Sequence, residues 1–483
     1  MNKTLLKVFE VYVFVFAFLF ASKPPNDADV WFHLNTGEYI VQHGIIPRTE
    51  FSSFTHFGAP FIAHGWLSGL IFYLLFKYFG LYALTFVTAL AGAFAFWILF
   101  RHSRSHPFIA GFITLLGVWA AVLAIGVRPR VFTLLLATIF LVALRNYARS
   151  GEGKAVWWLA PLMTLWVNLH GGYLLGFALI GFTIMGIPLD AWAVGKRFRD
   201  YWPRMRTLVL VLLACGLFGL INPYGLTMYT FPLRVLSSPV FQEGVIDWLS
   251  PNFHLPQLRP LLVLIVCTVV VLAASPKRAR PSELLLLAAS VYSMLMTNRQ
   301  MLLFVLVAVP LLSEHLHHLV SMTSFGARFD RPPAPAGSMR SKVIAVLLLL
   351  PLAVFGLRLR ATVYGPVRQE LLNVPVNAVQ YMRENQVTGN TFTEPNVWGA
   401  FVSWSLRSNP VYIDGRDVYP PDFVQEYIRI IRGQIDWRQP FDRYGVQLAL
   451  IRPGTVLARE LTEAGWPKLY EDNMAVLFRN PAH

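Results

Sequence analysis

The chain reads as a series of long apolar runs separated by short polar or charged intervals. A first run, Val8 to Ser22, follows Lys3 and Lys7. Further runs lie at about 81–100, 108–127, 131–144, 155–168, 172–193, 207–221, 260–275, 282–297, 301–313 and 343–357. A straight helix needs roughly 20 apolar residues to cross a bilayer, so the shorter runs must draw on neighbouring polar residues. The pattern predicts about 11 spans. The first run has the layout of a signal peptide, with Ala21-Ser22 as a weak cleavage region. An uncleaved span is preferred, because it would anchor the polar stretch that follows. The run Gly65 to Phe76 has only 12 residues between His64 and Lys77, a length that suits an interfacial helix better than a span. Residues 319–342, with Gly326, Pro332, Pro333, Pro335 and Gly337, read as a loop.

Beyond Arg360 the pattern changes. Strand-like pieces (Pro410–Ile413, Gln447–Ile451, Ala475–Phe478) alternate with helical stretches (Asp422–Ile431, Thr455–Ala464), an α/β arrangement. The predicted fold is therefore mostly α. A polytopic helical membrane domain spans 1–358, its first outer loop (23–80) carrying juxtamembrane helices, and a soluble α/β domain follows at 359–483.

Composition sharpens this picture. The 483 residues are 55% hydrophobic and 14% charged, with a mean hydropathy of +0.51, which excludes both a soluble globular enzyme and a disordered chain. The net charge of +15 is read as loop charge that orients the spans, with a lesser attraction to lipid phosphates, and not as a nucleic-acid surface. Cys215 and Cys267 both lie in apolar runs, so a disulfide framework and a cysteine metal site are not expected. With the N-terminus cytoplasmic and 61–79 non-spanning, 19 of the Lys and Arg before Arg358 fall on the cytoplasmic side and 8 on the far side. Placing the N-terminus outside and letting 61–79 span gives the same bias, so charge does not place the 23–60 loop. Both arrangements put the C-terminal domain outside.

Several polar constellations interrupt this pattern. Asn26-Asp27-Ala28-Asp29, followed by His33 and Glu38, comes directly after the first span. A helix starting near Asp29, with Asp29 as its N-cap, would bring Asp29, His33 and Glu38 near one face. A carboxylate there could take a proton from an acceptor hydroxyl or amine, or could simply cap a helix whose His33 faces water. Arg128-Pro129-Arg130 and Asn298-Arg299-Gln300 end spans on the outer side, where the arginines either snorkel or bind phosphate. Asn168-Leu169-His170-Gly171-Gly172 joins two apolar runs, facing a cavity or serving close packing. Asn222-Pro223-Tyr224-Gly225, with Pro232, Arg234, Glu243, Asp247, Trp248, Ser250 and Pro251, is either a covering loop or an aromatic belt. Asp414-Gly415-Arg416-Asp417 is a turn signal flanked by Tyr412 and Tyr419, whose rings could stack on sugar. His315, His317 and His318 read as a solvated helix end. The phosphate-cradling glycine loop, zinc spacing, nucleophile elbow and dinucleotide fingerprint are absent from the sequence.

The stretch from Asp27 to Ile40, then His43-Gly44-Ile45-Ile46-Pro47-Arg48-Thr49, resembles the first outer loop of bacterial GT-C-type glycosyltransferase-like integral membrane proteins. Trp66-Leu67, Arg128-Pro129, Asn168 to Gly172, Asn222 to Gly225, Ser250-Pro251 and Asp414-Gly415-Arg416 are similar to the same group, so the resemblance covers most of the chain. It implies a polyprenyl-phosphate-linked sugar donor, an extracytoplasmic acceptor (glycan, lipid or protein), residence in the bacterial inner membrane and a catalytic acid in the first outer loop. Asp27 or Asp29 would be that base. His33, Glu38, His64, Arg128, Arg130, Asn168, His170 and Arg299 would line the substrates. For Arg128, Arg130 and Arg299 the assignment comes from charge and side. One departure stands out. In His64-Gly65-Trp66-Leu67, Gly65 stands where relatives often carry an acidic residue, so a carboxylate is missing.

The function expected is inverting sugar transfer at the outer face, with arginines stabilising the departing lipid phosphate. A divalent cation bridging the carboxylates and the donor phosphate is compatible with the pattern, although no cofactor is required by it. The rival is a non-catalytic transporter or assembly factor for lipid-linked envelope saccharides. A scaffold whose outer domain recruits partners is a third reading.

Overall fold

The computed structural model describes residues 3–27, 29–236, 248–324 and 372–482, with 326, 349, 350, 352–354, 356, 357 and 360. The predicted run 343–357, the loop 319–342, the domain boundary at 358/359 and the residues Glu243 and Asp247 lie wholly or largely outside these. The chain forms two compact units, one of residues 1–23, 85–225 and 245–365, the other of 24–84, 226–244 and 366–483.

The first unit is a helical bundle. Among the described residues, six helices of the chain are long and apolar enough to cross a membrane: Leu81–His102, Arg130–Ser150, Gly171–Ala193, Phe198–Phe218, Pro256–Ala274 and Asn298–Ser321. Three shorter apolar helices of this unit accompany them, Phe9–Ala21, Pro107–Ala120 and Pro281–Met296, and a fourth, Trp66–Phe79, belongs to the second unit. The chain is a multi-pass membrane protein. The helix Met301–Ser321 is central, with every residue from Met301 to His315 buried. Phe198–Phe218 has only 17% of its apolar window covered by protein, leaving the rest for lipid. His315 corrects the expectation of a solvated helix end: it is buried, and its Nδ1 is 3.2 Å from Ser275 Oγ.

The second unit joins the first loop to the C-terminal residues. Its sheet runs β1 (Thr391–Glu394), β2 (Leu448–Ile451), β4 (Val476–Arg479), β3 (Lys468–Glu471) in spatial order. β1 and β2 are parallel and the other pairs antiparallel. The crossover from β1 to β2 carries the helices Val397–Ser405, Pro421–Ile431 and Arg438–Tyr444. On the free edge of β1, Tyr412 N–H donates to the Thr391 carbonyl at 2.9 Å. Val411 N–H donates in turn to the Ser52 carbonyl, and Phe54 N–H to the Val411 carbonyl, both at 3.1 Å. The first loop thus extends the C-terminal sheet and covers an edge that would otherwise be open to pairing with another chain.

The aromatic core behind the sheet includes Phe392, Tyr412, Tyr419, Tyr427, Trp437, Phe441 and Trp466, with Phe54 packed against it. Tyr412 and Tyr419 are therefore core residues. Their rings are occupied by Phe423 and other core neighbours, which corrects the expectation that they could stack on sugar.

Within this unit the helix Trp66–Phe79, 14 residues long, lies against Asp29–His43. Glycines make the approach close: a Cβ at Gly37 would collide with the Gly69 carbonyl oxygen, and one at Gly69 would stand 2.8 Å from the His33 carbonyl oxygen.

Candidate active site

The helix Asp29–His43 begins where the polar stretch predicts, with Asp29 in its first turn and Asp27 just ahead of it. Asp27 Oδ1 accepts the Asp29 N–H at 3.1 Å, and the Asp27 carbonyl accepts the Val30 N–H at 3.2 Å. Both carboxylates are half-buried. Asp29 borders the turn at Gly415, where an added Cβ would lie 3.4 Å from Asp29 Oδ1 and 3.7 Å from Val397 Cγ1. The Asp414-Gly415-Arg416 segment is thus a wall beside Asp29.

That wall is pinned by a buried ion cluster. Arg416 Nε donates to both Asp414 oxygens, at 3.0 and 2.9 Å. Its Nη2 bonds Glu50 and Ser52. Glu50 accepts from Ser52 N–H and Oγ–H at 2.8 and 2.9 Å, and from Ser53 N–H and Oγ–H at 2.9 and 2.8 Å. The guanidinium lies 5.2 and 5.1 Å from the rings of Phe51 and Phe61. Burial works to raise the Glu50 pKa, but Arg416 and the serine hydrogen bonds outweigh it and hold the carboxyl below its usual value. Arg416, although desolvated, is held above its usual value by Asp414, Tyr419 and Glu50, so Glu50 and Arg416 stay charged.

His33 packs on Phe32 at 4.2 Å and meets the edge of Phe72 at 6.2 Å. Burial pushes its pKa down to about 3, with a smaller contribution from His64, so the imidazole is neutral and does not simply face water. His64 Nδ1 is 3.9 Å from Asp417 Oδ2, and its ring is 5.2 Å from Phe231. Asp417 therefore brings a carboxylate to His64, beside the position where Gly65 leaves one out. Glu38 is ion-paired with Arg407, which also donates to Asn35 Oδ1, while Asn35 Nδ2 donates to Ser403 at 3.2 Å. These contacts tie Asp29–His43 to Val397–Ser405.

The remaining expected residues belong to the helical unit. Arg130 opens the helix Arg130–Ser150, with Arg128 just before it, and both are half-buried. The first amides of this helix are already engaged: Val131 N–H donates to the Arg128 carbonyl at 3.1 Å and Phe132 N–H to the Pro129 carbonyl at 3.0 Å. Asn168 Nδ2 donates to the carbonyls of Thr164 and Ile221, at 2.8 and 2.9 Å. His170 Nδ1 accepts from Gly172 N–H at 3.0 Å and lies 2.9 Å from Thr133 Oγ1, which itself accepts from Trp166 Nε1 at 2.8 Å. Close packing is evident at Gly172, where a Cβ would crowd Thr133. Arg299 stacks 4.2 Å from the Trp248 ring.

Asp27, Asp29, His33, Glu38 and His64 thus share one compact unit, and Arg128, Arg130, Asn168, His170 and Arg299 the other. Sequence reasoning passed over Glu50, Phe61, Arg407 and the pairing of Asp417 with His64. A lone acid next to an aromatic residue, Glu50-Phe51, was the available signal for the first of these. Among the described residues no group of three or more His, Cys, Asp or Glu is arranged to hold a metal ion.

No protein-family model matches the sequence, and no curated relative matches it either. Solved structures do. The oligosaccharyltransferase of Archaeoglobus fulgidus, in its complex with Zn and sulfate, aligns with a TM-score of 0.58 at 13% identity, over 91% of this chain and 68% of its own. ArnT from Cupriavidus metallidurans aligns over 99% of this chain and 98% of its own at 13% identity, with a TM-score of 0.55 in the apo state and 0.50 bound to undecaprenyl phosphate. Both are GT-C-type, polyprenyl-phosphate-dependent glycosyltransferases, and this chain shares their fold.

Proposed function

We propose that the protein is a membrane glycosyltransferase that moves a sugar from a polyprenyl-phosphate donor to an extracytoplasmic acceptor, with inversion and with Asp29 as the base. The observation that carries this reading is the half-buried Asp29 carboxylate of the first loop, walled by Gly415 of the C-terminal segment, within a fold whose solved example ArnT binds undecaprenyl phosphate. In this scheme Asp29 takes the acceptor proton as the acceptor attacks the anomeric carbon from the face opposite the phosphate. Asp27 supports the helix start and the local negative potential. For the departing phosphate, charge and side nominate Arg128, Arg130 and Arg299.

We read the chain as having eleven spans, with the N-terminus cytoplasmic and the C-terminal segment outside. The packing of 24–84 with 366–483 in one unit supports this arrangement. The rival topology would put the loop and the C-terminal segment on opposite sides of the membrane. The carrier reading draws on Gly65. Against it stands Asp417, which brings a carboxylate to His64 from another segment.

The test uses the purified chain in lipid nanodiscs with a panel of polyprenyl-phosphate sugars, and follows release of the lipid phosphate. Asp29→Asn is expected to slow release about 10²–10⁴-fold, the usual worth of a general base, with donor binding retained. Turnover surviving in both Asp29→Asn and Asp27→Asn would remove the catalytic assignment. A wild-type chain that binds donors and never releases phosphate would favour the carrier.

A further inference from the structure

The helical unit holds a polar site of its own. Four helices, Arg130–Ser150, Leu174–Ala193, Pro281–Met296 and Met301–Ser321, line a groove that opens to the exterior. Its floor is apolar, formed by residues such as Leu141, Leu179, Phe182, Leu286 and Val307. Its rim is charged. Arg145 Nη2 lies 2.7 Å from Glu314 and 3.5 Å from Glu283; Arg149 Nη2 bonds Glu283 and lies 2.9 Å from Glu314; Lys277 Nζ lies 2.5 Å from Glu314. Asp190 is occupied at the lip, accepting from Ser282 N–H at 2.9 Å and Ser282 Oγ–H at 2.7 Å. Arg280, also lining the groove, is exposed. The groove is thus lined by three arginines, Arg145, Arg149 and Arg280, and two carboxylates, Asp190 and Glu283, and the excess is positive; Lys277 and Glu314, one of each sign, join the network without lining the groove.

The combination selects a ligand. A soluble anion has no use for the apolar floor, and a neutral lipid has none for the arginines. The groove lies at the end of the spans that carries Arg145, Arg149, Lys277, Arg278 and Arg280, and basic residues next to span ends attract anionic headgroups. Arg130 and Arg149 open and close the same helix, about 28 Å apart at 1.5 Å per residue, so this site is distinct from the proposed donor-phosphate contacts. Basic pockets between spans are a recognised seat for anionic headgroups. We propose that the groove binds one anionic phospholipid of the adjacent leaflet, its phosphate on the Arg280 and Arg149 side of the rim and an acyl chain on the Leu141–Phe182 floor. The assignment does not depend on the transferase reading.

Native mass spectrometry of the full chain tests it. The chain is released from nanodiscs holding equal phosphatidylglycerol and phosphatidylcholine with a small fraction of undecaprenyl phosphate. One phosphatidylglycerol is expected to stay bound in preference to phosphatidylcholine. Arg280→Ala, at an exposed position, should weaken that retention about fivefold, the usual worth of one basic residue at an anionic surface. Leu286→Trp, which fills the groove, should abolish it. Equal retention of the two phospholipids, retention unchanged in Arg280→Ala, or undecaprenyl phosphate as the bound species would each overturn the proposal.

Discussion

Each compact unit buries a cluster of opposite charges, and the two clusters are built differently. In the loop and C-terminal unit, Arg416, Glu50 and Asp414 have side chains no more than 3% exposed. Aromatic rings flank the guanidinium, and serine donors fill both oxygens of Glu50. In the helical unit, Lys277 and Arg145 keep 36% and 17% exposure beside an open groove. The closed cluster acts as a structural pin between the first loop and the C-terminal segment. Its net energy is modest because desolvation offsets attraction, yet removing one member strands the others. An open cluster keeps a surplus charge that a ligand can use.

The contrast breaks first at Glu50. Glu50→Gln leaves Arg416 less compensated, with an expected loss of about 3–5 kcal/mol. It should appear as faster proteolysis within 372–482 and a lower denaturation midpoint. A variant as stable as wild type would show the pin to be incidental.

Acid should act on the same unit in two stages. His33 has a folded pKa below its ordinary 6.5, so the unfolded chain binds the extra proton and stability falls as pH drops below about 6.5. The slope approaches, at most, about 1.4 kcal/mol per pH unit. Glu50 is also held below its ordinary value. Its contribution is complete above about 4.5 and is lost only as pH falls through the lower folded value. Denaturation midpoints of wild type and His33→Leu across pH 7 to 4 should diverge, with the variant flatter. Parallel curves would contradict the assignment of the first stage to His33.

The smallest effect is expected at the open cluster. Lys277→Ala removes a partly exposed partner of Glu314 and should cost about 0–1 kcal/mol, as surface pairs do. A loss as large as that of Glu50→Gln would erase the distinction between the two clusters.

The sequence carried much of the local structure and little of the pairing. Pro421–Ile431 and Val456–Glu463 nearly coincide with the helices read from periodicity, and Leu448–Ile451 with a predicted strand. Apolar period and turn chemistry are local signals, visible within a dozen residues. The contacts that build the candidate site are not local. Glu50 and Arg416 are 366 positions apart, and the bridge from Ser53 to Val411 follows from no composition or motif. Asp29 was legible as a helix start beside a span, whereas its neighbour Gly415 read only as a turn. His315 was misjudged because charge at a helix end looks the same in sequence whether it meets water or a neighbouring helix. Glu283 and Glu314, acids at the margins of apolar runs, were the overlooked sign of a buried network.

The most direct measurement of the central claim is an experimental density map of the full chain in nanodiscs, loaded with a polyprenyl-phosphate sugar that it turns over or, failing turnover, binds. The sugar is expected beside the Asp29 carboxylate. A donor whose headgroup lies away from Asp29, or on the far side of the membrane from it, would contradict the account.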